Sequence, residues 1–287
     1  MSAPLTVEHP AELLAFLFAC HPEVKRTKVR QWLKYGAVQV NGRSITRSNH
    51  PLQIGDLVSI RAKIRAEGQL PPGMKVLFED ASLIVIEKPE NLLSIASATE
   101  RDKTAYAFLT DYVRRGNPHS PERVWIVHRL DRETSGLMVF AKTEAAKRTL
   151  QAHWYEAEKR YLAVVEGRPP ADHGVLRSHL DESGPFKVYS APPSERTRHA
   201  VTHYRLMKRI ATRSLIELTP ETGRRNQIRV HLADAECPII GDHKYEARTN
   251  PARRLGLHAS SLRFKHPLSG ELLEFESPLP QQLERLL

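Results

Sequence analysis

The run VHRLDRETSGLMVFAKT, Val127 to Thr143, places His128, Arg129, Asp131, Arg132 and Glu133 within six positions, between flanks rich in apolar residues. Burying unpaired charge is costly, so a core does not collect such a cluster for packing. Asp131 is the candidate for chemistry, because a carboxylate held between arginines can act as an oriented nucleophile. The plainer alternative is a turn in which Asp131 pairs with Arg129 or Arg132 and Thr134, Ser135 and Gly136 close the loop.

Other chemistries find no residues here. The chain has no glycine-rich phosphate loop and no H-E-x-x-H helix. Its 14 histidines are scattered, without cysteine partners or close pairs at zinc-site spacing. No G-x-S-x-G elbow is present. No metal and no nucleotide cofactor is therefore expected, and the reaction must be carried by side chains alone.

The elements that would position these groups are legible as hydrophobic periodicity. Segment Glu12 to Ala62 reads as a small unit. ELLAFLFACH is a short apolar helix, and RTKVRQWLKYG a second one with Val29, Trp32 and Leu33 at helical spacing and Gly36 as its C-cap. AVQVNGRSI alternates and turns at Asn41-Gly42, a hairpin signal, and LQIGDLVSIRA gives another turn and strand. Lys63 to Lys75, with its Gly, paired Pro and charges, reads as a linker. Residues 76–287 then form the larger unit. KVLFEDASLIVIEKP gives two strands, DKTAYAFLTDYVRR a helix, and the charged run a loop between strands. EAAKRTLQAHWYEAE is a helix and KRYLAVVEG a strand. AVTHYRLMKRI, RSLIELTPETG and LLEFESPLP are strands, and NQIRVHLADA is a helix. Frequent hairpin spacings predict an α+β fold with a mixed, mainly antiparallel sheet and flanking helices.

Charge narrows the partner. The chain has 43 Lys and Arg against 33 Asp and Glu, a formal +10 with a pI near 9.7. Such an excess favours a polyanion. The predicted second helix concentrates Lys25, Arg26, Lys28, Arg30 and Lys34, with Arg43 in the following turn. Two cysteines, Cys20 and Cys237, are too few for a disulfide scaffold and fit a reducing cytoplasm. No secretory signal and no apolar run of membrane-spanning length is seen, so no membrane partner is expected.

Two resemblances then join these observations. RTKVRQWLKYGAVQVNGR followed by IGDLVSI resembles the S-four-type RNA-binding domain, a module that holds structured RNA by phosphates and shape. The resemblance implies that Arg26, Lys28, Arg30, Lys34 and Arg43 contact RNA. VHRLDRETSGLMVFAKT is similar to the signature H-R-L-D-x-x-T-S-G-L of the RluA family of RNA pseudouridine synthases. VLFEDASLIVIEKP, KRYLAVVEG, TGRRNQIRVHLADAECPIIGDHKY and LGLHASSLRFKHPLSGELLEFESPLP match further blocks of that family in order. The resemblance implies isomerisation of uridine within RNA, without a cofactor, in which Asp131 is the nucleophile. Attack at the sugar and attack at the uracil ring are both compatible with a carboxylate. It further implies that Arg229 pairs with Asp131, by a two-pronged contact expected to keep the carboxyl pKa low. Tyr161 packs against the target uracil and is placed to move a proton, and Arg129 fills the space left by the flipped uridine. His128 and Asn226 complete the expected RNA-binding set. Asn226 stands where the family commonly has His, keeping hydrogen-bonding capacity but no charge. Ribosomal RNA, of the large subunit, is the favoured substrate, with transfer RNA as the alternative and a monomer as the expected state. The rival reading is a non-catalytic RNA-binding or ribosome-assembly factor.

Overall fold

The computed structural model describes residues 4–34, 37–60, 70–115, 120–184 and 186–287. The chain divides into two compact units, Met1–Glu67 and Gly68–Leu287. The expected C-cap at Gly36 and residues 63–69 of the expected linker lie outside the described residues.

The smaller unit contains β1 (Leu5–Thr6), β2 (Ala11–Glu12), α1 (Leu13–Cys20), α2 (Arg26–Lys34), β3 (Val38–Val40), β4 (Arg43–Ser44), β5 (Pro51–Leu52) and β6 (Leu57–Ile60). Its sheet runs β1-β6-β3-β4, with β2 paired to β5 apart from it. Helix α2 buries Val29 and Leu33, one turn apart, against Leu13, Leu17, Val38 and Val58. That choice of face leaves Arg26, Lys28 and Arg30 exposed. Asn41 and Gly42 both take positive φ, 49° and 78°, the conformation a two-residue hairpin turn needs. The Asn41 side chain locks the turn, accepting the Leu57 N–H and donating to Asp56.

The larger unit contains β7 (Lys75–Glu79), β8 (Leu83–Lys88), α3 (Ala105–Val113), β9 (Trp125–Ile126), β10 (Ser135–Ala141), α4 (Glu144–Ala152), β11 (Glu158–Glu166), β12 (His173–Asp181), β13 (Tyr189–Ser190), β14 (Thr197–Ile210), β15 (Arg213–Pro220), α5 (Gln227–Asp234), β16 (Leu257–Lys265), β17 (Leu272–Glu276) and α6 (Gln281–Glu284). One sheet runs β13-β12-β14-β15-β11-β16-β10-β8-β7, with β9 added to β10 and β17 to β16. Its pairings are antiparallel except β10 with β16. The expected α+β fold with a mainly antiparallel sheet is what the chain adopts.

Every residue of β10 is buried. Met138 and Phe140 face a core built with Leu109 and Val113 of α3. Leu137, Val139 and Ala141 face Ala146 and Leu150 of α4 on the other side. A strand covered on both faces loses the apolar–polar alternation, which explains the unbroken run GLMVFA. Thr104 and Thr143 cap α3 and α4, accepting the N–H of Ala107 and of Ala146. On the far half of the sheet, α5 packs with Leu218, Ile228 and Leu232 in a separate cluster.

Three local differences from the sequence expectation stand out. The helix expected from Glu144 to Glu158 ends at Ala152, followed by a 3-10 turn over Trp154–Glu156 that leads into β11. Strands β12 and β13 were not anticipated. Within the expected linker, Leu70 and Met74 pack into the larger unit's core and Lys75 opens β7.

Candidate active site

The charged run emerges as the loop between β9 and β10. Its backbone is held from the segment after β8. The Ser94 hydroxyl donates to Leu130 O at 2.7 Å and accepts the Leu130 N–H at 3.1 Å. Lys88, fully buried at the end of β8, donates its ammonium protons to Pro89 O, Leu92 O and Arg132 O. Desolvation lowers its pKa to about 7, partly offset by the charges of Asp131, Glu133 and Glu90. Neither Ser94 nor Lys88 was among the expected site residues. A lysine in an apolar strand before a proline was the available signal for the second.

Asp131 lies where two chambers of one cleft meet. The smaller, about 90 Å³, is lined by Tyr161, Ile228 and Leu257 as well as by Asp131 and Arg129. The larger, about 350 Å³, opens past Ile95, Glu133, Arg225, Lys244 and Phe186. A more voluminous groove of about 670 Å³ beside α4 contains none of these groups.

Arg229 reaches the carboxylate from the first turn of α5, but not as expected. Its Nε and Nη2 form the two-pronged contact with Asp242, at 2.7 and 2.8 Å. Only Nη1 faces the cleft, 3.5 Å from Asp131 Oδ2 and 3.2 Å from Glu133 Oε2. The guanidinium is thus clamped by a carboxylate buried behind it, with one nitrogen left to serve two acids. Asp242 follows Gly241, whose φ of 73° and approach to Arg254 O, 2.2 Å from an added Cβ, admit no side chain. Asp242 was missed in the sequence, although it lies in the matched block CPIIGDHKY.

The expected low pKa of Asp131 is also corrected. Desolvation raises it, and the opposing charges of Arg229 and Arg129 do not reverse that effect; Glu133 adds to it. The side chain still keeps 18% of its surface open through the cleft. Burial and the charge of Asp131 push the Tyr161 phenol far up, so Tyr161 stays protonated beside it.

Among the remaining expected residues, Arg129 is exposed and lines both chambers. Asn226 is buried at the start of α5, with its φ of 54° in the left-handed region that asparagine tolerates. His128 is not in the cleft lining. Its Nε2 accepts the Val139 N–H at 3.1 Å and its ring stacks on Trp154, 4.5 Å between centroids. Burial lowers its pKa to about 3, fixing a neutral imidazole in a packing role in place of the expected RNA contact. Sequence spacing hides this because residues 128 and 130 of the loop face different cores. In the smaller unit Arg26 and Arg30 lie over the Phe18 ring, and Lys28 and Arg43 are exposed. The Lys34 side chain lies outside the described residues. One further residue escaped the sequence reading. Phe186 is 82% exposed at the larger chamber, on a segment fastened by Arg225 through Glu182 and Gly184. Among the described residues no three His, Cys, Asp or Glu side chains gather as a metal site would require.

The chain is similar to known proteins over both of its units. Residues 82–234 match the RNA pseudouridylate synthase family model, and residues 13–58 match the S4 domain. The chain is 33% identical to the ribosomal large subunit pseudouridine synthase D of Xanthomonas campestris pv. campestris, over 96% of this chain and 86% of that one. It is 32% identical to the protein of the same name from Escherichia coli strain K12, over 93% and 86%. The solved structure of human RNA pseudouridylate synthase domain containing 4 superposes with a TM-score of 0.61 at 27% identity, covering 74% of this chain and 92% of that one. The chain belongs to the RNA pseudouridylate synthase family, with an added S4 domain. It is an RNA pseudouridine synthase.

Proposed function

We propose that this enzyme isomerises specific uridines of large-subunit ribosomal RNA in the cytoplasm, acting as a monomer with Asp131 as nucleophile. The observation that carries the reading is Asp131 itself. It is a desolvated carboxylate at the junction of two chambers, faced by Arg229 and roofed by a protonated Tyr161. A binding protein without chemistry gains nothing from keeping an acid there, at a cost in solvation. The names of the relatives support the large ribosomal subunit as substrate.

In this reading the uridine leaves the helical stack, since a stacked base hides its glycosidic bond. Arg129, free on the rim, occupies the vacated space. The uracil enters the smaller chamber against Tyr161 and meets Asp131. The N1–C1′ bond breaks, the ring turns, a C5–C1′ bond forms, the C5 proton is lost and N1 takes up a proton, and the Asp131 carboxylate is regenerated. Tyr161, protonated beside the ring, is placed to exchange a proton with it. Arg26, Lys28, Arg30, Lys34 and Arg43 hold flanking phosphates.

Asp131→Asn keeps size and hydrogen bonding but removes the nucleophile. Tritium release from RNA labelled at uracil C5 should fall by roughly a thousandfold or more, with RNA binding nearly intact. Activity within tenfold of the parent would remove Asp131 from this role. Mapping pseudouridine in total RNA from cells with and without the protein assigns the substrate, and loss confined to transfer RNA would redirect the reading.

A further inference from the structure

The shortest hydrogen bond to Asp131 does not come from Arg229. The Asn226 amide nitrogen lies 2.9 Å from Asp131 Oδ2 and 3.2 Å from Oδ1 when its oxygen faces Lys244 Nζ and the Tyr245 hydroxyl, each at 2.9 Å. The neighbours dictate this orientation. The Tyr245 oxygen already accepts the Val188 N–H, which leaves its single proton for an acceptor, and the Lys244 ammonium can only donate. Turned the other way, the amide would set its oxygen against a carboxylate and its N–H₂ against a cation.

We propose that Asn226 is a positioning residue for the reaction, orienting the Asp131 carboxylate and favouring its ionised form through a neutral, doubly anchored amide. The inference rests on the reading of Asp131 as nucleophile.

The backbone supports the assignment. Asn226 precedes the first residue of α5 at a φ of 54°, yet its side chain makes no capping bond to the helix. Asparagine is favoured at helix starts for such a bond, so its amide is employed elsewhere. Gln227 does the local work instead, accepting from Thr222 and the Arg224 N–H and donating to Val201 O and Thr202. These contacts fix the start of α5, and with it the place of Asn226, to Val201 and Thr202 of β14 and to the loop after β15. Lys244 polarises the amide from the oxygen side, strengthening the N–H donors that meet Asp131. Hydrogen bonds to the charged form of an acid oppose its desolvation. Around the pair stand Arg229, Glu133, Arg129, Lys88, Lys244 and Tyr161 facing Asp131, and Arg229, Asp131, Arg225 and Glu133 facing Lys244. Unlike Arg229 and Arg129, the amide is a donor whose hydrogen bonding does not depend on a charge of its own.

Asn226→Gly separates the two tasks of the residue, since glycine adopts positive φ at no steric cost and only the amide is lost. The variant should fold and bind RNA like the parent. Its single-turnover rate at saturating RNA should fall on the order of 10- to 100-fold, as expected for losing a hydrogen bond to a charged group. The acid limb of its rate–pH profile should move to higher pH. Asn226→His, a donor of different reach, should recover part of that rate. A parent-like rate with an unmoved acid limb overturns the proposal, as does a matched loss of affinity, which would make the amide an RNA contact. Asp131→Asn, run alongside, keeps the two ideas apart. If it is inert while Asn226→Gly is parent-like, only the positioning role fails. If it is active, the nucleophile reading fails and the inference falls with it.

Discussion

Asp131 is held against its own solvation, and that has a measurable signature. Its folded pKa is raised above 3.8, so the ionised fraction falls as pH drops through a value higher than an ordinary aspartate's. With Asp131 as the nucleophile, the rate should therefore decline on the acid side at a pH above 3.8, in single-turnover rates taken across pH. A limb at or below 3.8 would contradict the burial argument. Linkage gives the sign for stability. Between the unfolded and the raised folded pKa the native state binds more protons, so Asp131 contributes stability at low pH that is lost as pH rises through that window. Much at this scale was legible in the sequence. Asp131 and the loop around it announced themselves because charge is rare between buried strands. The partners were less legible, for a physical reason. The guanidinium of Arg229 has two faces, and the sequence cannot say that the fork turns to Asp242 while a single nitrogen serves the cleft.

At the scale of elements, the site depends on one close approach. Strands β10 and β16 pair in parallel through Ser135–His258 and Gly136–Ala259, directly after the Asp131 loop. Gly136 has a φ of 115°, and a Cβ there would lie 2.2 Å from Ala259 O. Gly136→Ala should thus destabilise the fold by roughly 3 kcal/mol or more, combining backbone strain with overpacking against main chain. Chemical denaturation should show a lowered midpoint with little change in slope. A midpoint within error of the parent would mean that the strands can separate without loss. Helices α3, α4 and α5 and the hairpin β7–β8 were readable because their apolar residues recur with a clear period. Strand β12 was not. Its sequence HGVLRSHLD alternates poorly, since its partners β13 and β14 place polar groups on both faces, and Ser178 meets His231 of α5 from the side that should read as apolar.

At the scale of the whole molecule, each unit has a core of its own. Removing Met1 to Arg61 should leave a folded enzyme whose chemical step at saturating RNA is little changed, because Asp131, Asn226, Tyr161 and Arg229 all lie in the larger unit. Binding should weaken and lose salt sensitivity. The slope of log affinity against log salt should fall by about 0.7 to 0.9 for each phosphate contact removed. An unchanged slope would mark Arg26, Lys28 and Arg30 as a solvated face only. A collapsed rate with an intact fold would mean that the smaller unit helps build the active site. The two-unit organisation was visible in the sequence as a change from basic helix and hairpin to long apolar strands. Leu70 and Met74, within the expected linker of residues 63–75, sit among glycine and prolines and read as linker although they pack into the larger unit's core.

The position of β16 sets the order in which activity can arise. It stands between β11 and β10 in the sheet yet is the penultimate strand in the chain. Without β16, the half of the sheet from β7 to β10, which carries the Asp131 loop, and the half from β11 to β15, against which α5 and Arg229 pack, share no strand pairing. Until residues 257–265 emerge and insert, the two sides of the cleft have no common floor. A chain cut before Leu257 should therefore expose the edges of β10 and β11 to wrong pairing and fail to modify RNA. Assembly of the cleft thus waits on residues 257–265, which follow both Asp131 and Arg229 in the chain yet stand between β11 and β10 in the sheet.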